Sequence, residues 1–204
     1  MLSYRTIESH TLELLKALQS NEALKQTRLV GGTALALQYG HRSSIDLDLF
    51  GHIDIEDEDL IELLKSYGIV EVRQLTKNIK VFTIDGIKVD IVNYKYPWID
   101  SPIIEDGIVL ASARDIAAMK VNAIEGRGTK KDFIDIHELL KRFTLKEILD
   151  FYVQKYPENS LFRALLSLSY FEDADIQPMP TMFVNEDWDA IKTHIKEHIQ
   201  GYQA

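Results

Sequence analysis

Two period-2 runs, Ile79–Ile84 and Ile87–Val92, are separated only by Asp85-Gly86. That dipeptide between period-2 segments is the strongest short-range hairpin signal. It constrains the fold more than any other feature of the chain. Strands joined by two residues pair antiparallel, which argues against an all-parallel, doubly wound sheet. Neither GxGxxG nor GxxxxGK[ST] occurs. Upstream, residues 7–19 repeat Ile7, Leu12, Leu14, Leu15 and Leu18 at helical spacing. Thr27–Val30 reads as a short strand running into Gly31-Gly32, and Thr33–Gln38 as helix formers closed by Gly40. Alternation predicts a strand over Ile45–Phe50. A helix is predicted over Glu56–Tyr67, with Leu60, Ile61, Leu63 and Leu64 as its buried stripe. Gly107–Ala111 is expected as an edge strand.

After that strand the pattern turns helical. Ser112 with Asp115, Thr129 with Asp132, and Thr144 with Glu147 resemble capping boxes, the first two using Asp where Glu or Gln is usual. Asn185 is expected to cap a last helix, Glu186–Gln200, and Phe171–Thr181 to form the longest loop. No internal repeat or low-complexity tract occurs. The expected fold class is α/β (α+β): a core over 1–110 with a short mixed sheet, then a helical domain over 111–204.

Composition narrows the chemistry. The 204 residues contain no cysteine, which removes disulfide scaffolds, thiol nucleophiles and cysteine-based zinc sites. Charges at Arg5, Glu8, Glu13 and Lys16 interrupt any signal-peptide apolar stretch, and no run of about 18 apolar residues exists to span a membrane. A cytoplasmic protein without membrane partners is expected. The formal charge of −9 argues against a general nucleic-acid coat. Residues 112–146 nevertheless hold eight basic and five acidic side chains, a local +3 that suits a local anion site.

The most informative stretch is Leu29–Thr33, followed by thirteen residues from Thr33 to Ile45 and then Asp46-Leu47-Asp48-Leu49-Phe50. Residues two apart on a strand share a face. Asp46 and Asp48 therefore point one way, and Ile45, Leu47 and Leu49 form the core face. Two carboxylates roughly 6–7 Å apart repel by roughly 2–3 kcal/mol at an effective dielectric of about 20. A divalent cation offsets this, since Mg²⁺ is held by one or two carboxylates plus substrate phosphates. Asp90 sits between Val89 and Ile91, a mid-strand position where an acid needs a partner or a metal. If its strand lies beside Ile45–Phe50, three carboxylates converge, as two-metal displacement at phosphorus requires. Gly31-Gly32 permits close backbone approach, and the helix it opens directs N–H groups and a positive dipole end at an anion such as phosphate.

The pattern hG[GS], a 9–13-residue spacer, DhDh and a later strand Asp resembles the signature of the DNA polymerase β nucleotidyltransferase superfamily. Gly31-Gly32, Asp46-Leu47-Asp48-Leu49 and Asp90 supply it here. Within that superfamily the chain resembles the AbiEii/AbiGii-type (MenT-like) nucleotidyltransferase toxins. The matching residues are Gly31–Leu35, the run from Arg42 through Ser44 and Asp46 to Phe50, and Asp115–Ile136. The resemblance implies a polymerase β-like core and transfer of an NMP from an NTP to an acceptor hydroxyl, with Mg²⁺ or Mn²⁺ bound. It implies a toxin countered by a cognate antitoxin, with RNA (a tRNA 3′ end) as acceptor. A small-molecule or protein hydroxyl acceptor is the alternative, as is a non-catalytic nucleotide-binding module.

Asp46, Asp48 and Asp90 are the expected metal ligands and catalytic acids, and Gly31, Gly32, Thr33 and Ser44 the phosphate cradle. Lys120 and Arg127 lie seven residues apart, nearly in register on a helix opposite Ala117, Val121 and Ile124. The residues alone favour a solvated face with a Lys131–Asp135 pair. The resemblance instead implies a functional Lys, matched by Lys120, and a functional acid downstream, with Asp132 favoured over Asp135. Lys120, Arg127 and Lys131 are then nucleotide-binding. His194 to His198 spells HxxEH, but only six residues follow and no third ligand is in view, so zinc is set aside. His137 is read as a helix-packing residue.

Overall fold

The computed structural model describes residues 1–203 and divides into two compact units. The first comprises Met1–Lys95 and Pro102–Ala111; the second comprises Tyr96–Ser101 and the described residues from Ser112 onward.

In the first unit a 3-10 turn, Tyr4–Thr6, leads into α1 (Ser9–Ser20). There follow β1 (Thr27–Leu29), α2 (Gly31–Tyr39), β2 (Leu47–Gly51), α3 (Asp57–Lys65), β3 (Val70–Leu75), β4 (Ile79–Ile84), β5 (Ile87–Asn93), β6 (Ile103–Glu105) and β7 (Ile108–Leu110). The strands form one mixed sheet in the order β3-β4-β5-β2-β1-β7-β6. The expected hairpin is present: β4 and β5 pair antiparallel, with Asp85 at φ 48° and Gly86 at φ 85° in the two left-handed positions of its turn. α1 lies against β7, α2 against β2 and α3 against β3. Leu47, Leu49, Phe82, Ile84, Val89 and Ile91 are fully buried, so alternation sends Asp48 and Asp90 to the other face.

Several boundaries differ from expectation. β2 starts at Leu47, not Ile45, because pairing with β5 begins at Leu47↔Val89. Ile45 is 54% exposed in the loop before it and is not a core residue. The segment 107–111 is not an edge: β6 covers β7 on its outer side, through an Asp106-Gly107 turn with both residues at positive φ. β3 forms the other edge and is absent from the sequence expectation; its alternation, Val70-Glu71-Val72-Arg73, is brief and breaks at Gln74, and it is mostly exposed. In α3 only Leu60 and Leu64 are buried, so the stripe is narrower than the four apolar positions suggest.

The second unit contains α4 (Ala113–Gly126), α5 (Lys130–Leu140), α6 (Leu145–Lys155), α7 (Leu161–Leu168), α8 (Glu172–Asp175) and α9 (Trp188–Gln203). α4 packs on α5, α6 and α7, and α5 and α6 both meet α9. Thr129–Asp132 and Thr144–Glu147 are complete capping boxes, and the Ser112 hydroxyl accepts the Asp115 N–H. Asn185 does not cap the last helix: α9 begins at Trp188, and the Asp187 carboxylate accepts the Ala190 N–H at 2.8 Å. The expected loop over 171–181 contains α8. Asp115 and Lys155 form a fully buried ion pair of 2.7 Å.

His137 of α5 packs against His194 of α9, and His194 against His198, each ring pair 4.6 Å between centroids. His137 Nε2 lies 2.9 Å from Glu186. Burial holds both His137 and His194 below the ordinary imidazole pKa, against the opposing pull of Glu186 on the first. An unfolded chain therefore takes up protons on these rings before the folded one does. Stability is complete above the unfolded imidazole pKa and declines as pH falls through the window beneath it. The urea midpoint is expected to be lower at about pH 5 than at about pH 7, and His194→Gln to remove part of that difference. Urea melts of both proteins at the two pH values check this.

Candidate active site

The first unit assembles its site from three local features. β2 and β5, far apart in sequence, run parallel with Asp48 directly opposite Asp90. Neighbouring strands lie about 4.8 Å apart, so the two acids stand side by side on one face. Across the β1–α2 turn, Gly31 has φ +67°, and a Cβ added there would meet Asp48 Oδ2 at 2.2 Å. Only glycine permits this backbone to pass over the carboxylate. The Val30 N–H donates to the Asp48 carbonyl at 2.9 Å, tying the turn to β2. α2 takes Val30 as its N-cap, a residue without a side-chain acceptor, so the first helical N–H groups receive no cap.

Thr33 is buried, and its hydroxyl bonds to the Asp46 carbonyl and, at 2.8 Å, to the Ser44 hydroxyl. Thr33 and Ser44 thus hold the loop that delivers Asp46 into Asp48. Asp46 itself stands one residue before β2. The Lys88 ammonium binds Asp90 Oδ2 at 2.6 Å, while Asp90 Oδ1 is buried without a hydrogen-bond partner. Lys88 was not selected from the sequence, although its i, i+2 spacing from Asp90 puts both on one face.

A divalent cation fits these residues. The partnerless buried Oδ1 of Asp90, opposite the Asp48 carboxylate, offers hard oxygen donors of the kind Mg²⁺ takes together with substrate phosphates. Among the described residues no group of three His, Asp or Glu side chains is gathered to hold an ion alone. The structure pairs Asp48 with Asp90 and leaves Asp46 in the preceding loop.

The second unit holds its own charged cluster. Lys120 is 5% exposed, and its ammonium lies 2.8 Å from Asp132 Oδ1 and 2.6 Å from Asp135 Oδ2. Lys120 therefore leaves the solvated face that Arg127 and Lys131 keep, and the Lys131–Asp135 pair does not form, because Asp135 is buried against Lys120. Both candidate acids meet the same lysine. Thr129 donates its hydroxyl to Asp132 Oδ2 at 2.6 Å, and Arg127, 69% exposed, approaches the same oxygen at 3.4 Å. Burial pushes the Asp132 carboxyl up, but Lys120, Thr129 and Arg127 together hold it below the usual carboxylate range. The basic stretch is largely neutralised within the unit. Among the described residues, Arg114, Lys120, Arg127, Lys141, Arg142 and Lys146 all have carboxylate partners.

The family described as "Nucleotidyl transferase AbiEii toxin, Type IV TA system" matches residues 13–201. A relative from Aquifex aeolicus, the uncharacterized protein aq_aa25, is 32% identical over 210 residues, spanning 97% of this chain and 98% of that one. Among solved structures, MenT4, nucleotidyltransferase toxin Rv2826c from Mycobacterium tuberculosis, has a similar fold. Its TM-score is 0.62 at 12% identity, over 93% of this chain and 80% of that one. JHP933 from Helicobacter pylori gives a TM-score of 0.56 at 19% identity, over 95% and 92%. The mixed sheet with its helices is thus of the polymerase β-like nucleotidyltransferase kind.

Proposed function

The chain belongs to the AbiEii nucleotidyltransferase toxin family, and from that premise we propose that it moves an NMP from an NTP to a hydroxyl of an RNA acceptor, a tRNA 3′ end. One observation carries the reading: Asp48 and Asp90 in register on adjacent parallel strands, beneath the Gly31 turn that opens α2. In the proposed reaction the acceptor oxygen attacks the α-phosphorus and a new phosphoester bond forms. The bond to the β-phosphate oxygen breaks, and pyrophosphate leaves with the electron pair. Asp90 receives the hydroxyl proton directly or through water.

Asp46, Asp48 and Asp90 would hold Mg²⁺ or Mn²⁺, which when bound supplies charge stabilisation to the phosphates. The N–H groups at Gly31, Gly32 and Thr33 orient the phosphate tail. Ser44 and Thr33 keep the acid-bearing loop in place. Arg127 and Lys131, both exposed, are the second unit's own candidate nucleotide-binding cations. Lys120, with Asp132 and Asp135, sets the α4–α5 corner from which those cations project. In a toxin–antitoxin setting a cognate antitoxin is the protein partner.

Internal neutralisation of the basic stretch favours a second reading, in which the acceptor is a small-molecule or protein hydroxyl that needs few cations. Incubation with each α-labelled NTP, Mg²⁺ and total RNA, followed by separation of the products, tests both. Label in tRNA-sized RNA supports the first, and label in small molecules or protein supports the second. No labelled product with any NTP and any acceptor overturns the catalytic reading.

Gly31→Ala provides a more local check. The added methyl displaces the Asp48 carboxylate and strains a left-handed backbone. Transfer is expected to fall by about a hundredfold, the usual cost of a misplacement of about 1 Å. Gly126→Ala, whose Cβ meets nothing within 4 Å, should leave the rate unchanged. Initial rates of the two variants against the parent decide it.

A further inference from the structure

We propose that Lys88 is the resident counter-ion of Asp90 and competes with the divalent cation for it, so that this side chain sets the metal affinity of the site. The proposal rests on the reading of Asp90 as a metal-binding carboxylate. In β5, Lys88 and Asp90 are two residues apart and share the face that carries Asp48. Two carboxylates held side by side by the register repel each other, which favours a cation beside them. At Asp90 that cation is Lys88, whose ammonium sits 2.6 Å from Oδ2.

The pair is lopsided in a way that suits exchange. Lys88 is 47% exposed on a flexible four-carbon stem, whereas the Asp90 carboxylate is 20% exposed and tethered in a central strand. Asp90 Oδ1 has no partner, so the ammonium satisfies only one side of the carboxylate. A divalent ion held at this carboxylate would return the half-exposed ammonium to solvent at little cost to the lysine. The fold therefore carries a built-in competitor that keeps the acids quiet when no metal–nucleotide complex is present. Removing it should tighten metal binding.

Mn²⁺ titration of the nucleotide-free full chain, followed by the loss of the free Mn²⁺ electron-spin signal, measures this without recourse to activity. Lys88→Met is expected to bind Mn²⁺ about threefold to fivefold tighter than the parent, the worth of a half-exposed ion pair. Lys88→Arg, which keeps the charge, should stay near the parent value. Asp90→Asn should lose most of the binding. Equal or weaker binding by Lys88→Met, with Asp90→Asn still defective, overturns the role of Lys88 and leaves Asp90 as a ligand. Parental binding by Asp90→Asn overturns the underlying assignment of Asp90, and this proposal with it.

Discussion

Asp48→Asn is expected to abolish nucleotidyl transfer while leaving the fold in place, with a rate loss of about three orders of magnitude or more. The substitution is nearly isosteric and removes only the charge. The main-chain links of Asp48, to Val30 and along the β2–β5 ladder, do not involve its carboxylate. Those backbone links are kept in the variant, so the fold should persist. What is lost is one of the two charges proposed to hold the metal beside the phosphate tail, and a carboxamide is a far weaker ligand for a hard cation. Labelled-NTP transfer measured beside the melting temperature separates the two effects. Parental transfer by this variant would refute the assignment of the acid pair.

The largest effect on stability is expected at Lys155. Its ammonium donates to Asp115 Oδ1 at 2.7 Å and to the Pro97 carbonyl at 2.8 Å, and it lies 4.6 Å above the Trp98 ring. Asp115 also accepts the Ile99 and Asp100 N–H groups and the Ser112 hydroxyl. Both side chains are 0% exposed. Lys155→Met keeps the alkyl volume and strands the carboxylate in the interior. Breaking such a pair from one side costs about 3–5 kcal/mol. For a chain of this size that lowers the melting temperature by about 10 °C. Replacing both partners by apolar residues should recover part of the loss, because no unpaired charge then remains. A double-mutant cycle followed by thermal melts tests this, and a loss for Lys155→Met no larger than for an exposed lysine would contradict it.

These two sites differ in how far the sequence discloses them. Asp46, Asp48 and Asp90 are visible because each fills the polar position of an aliphatic alternation, where an acid flanked by aliphatics demands a reason. The Gly31-Gly32 pair is visible because it precedes a helix at the end of a strand. Lys155 and Asp115 are invisible as a pair. They lie 40 positions apart, and nothing near Lys155 distinguishes it from the exposed Lys146 of the same helix. Lys120 shows the same limit. Its helical position was compatible with a solvated face, and only the packing of α4 on α5 turns it onto Asp132 and Asp135. The β6–β7 turn is a different case: Asp106-Gly107 carries the same dipeptide as the hairpin that was recognised, but its strands are three residues long and give no alternation to read.

What the sequence determined by itself is whatever a few consecutive residues decide: the Asp85-Gly86 turn, the capping of α5 by Thr129 and of α6 by Thr144, and the side of each strand on which acids and aliphatics fall. Each of these depends on backbone sterics and hydrogen bonds within one turn or one pleat. The tertiary structure alone decided which strands distant in sequence lie side by side, and so put Asp48 opposite Asp90 rather than near it, left Ile45 in water and took Lys120 out of it. Periodicity specifies a face but not a neighbour. Neighbours across a sheet or between helices are chosen by the burial of the whole core, which no local window contains.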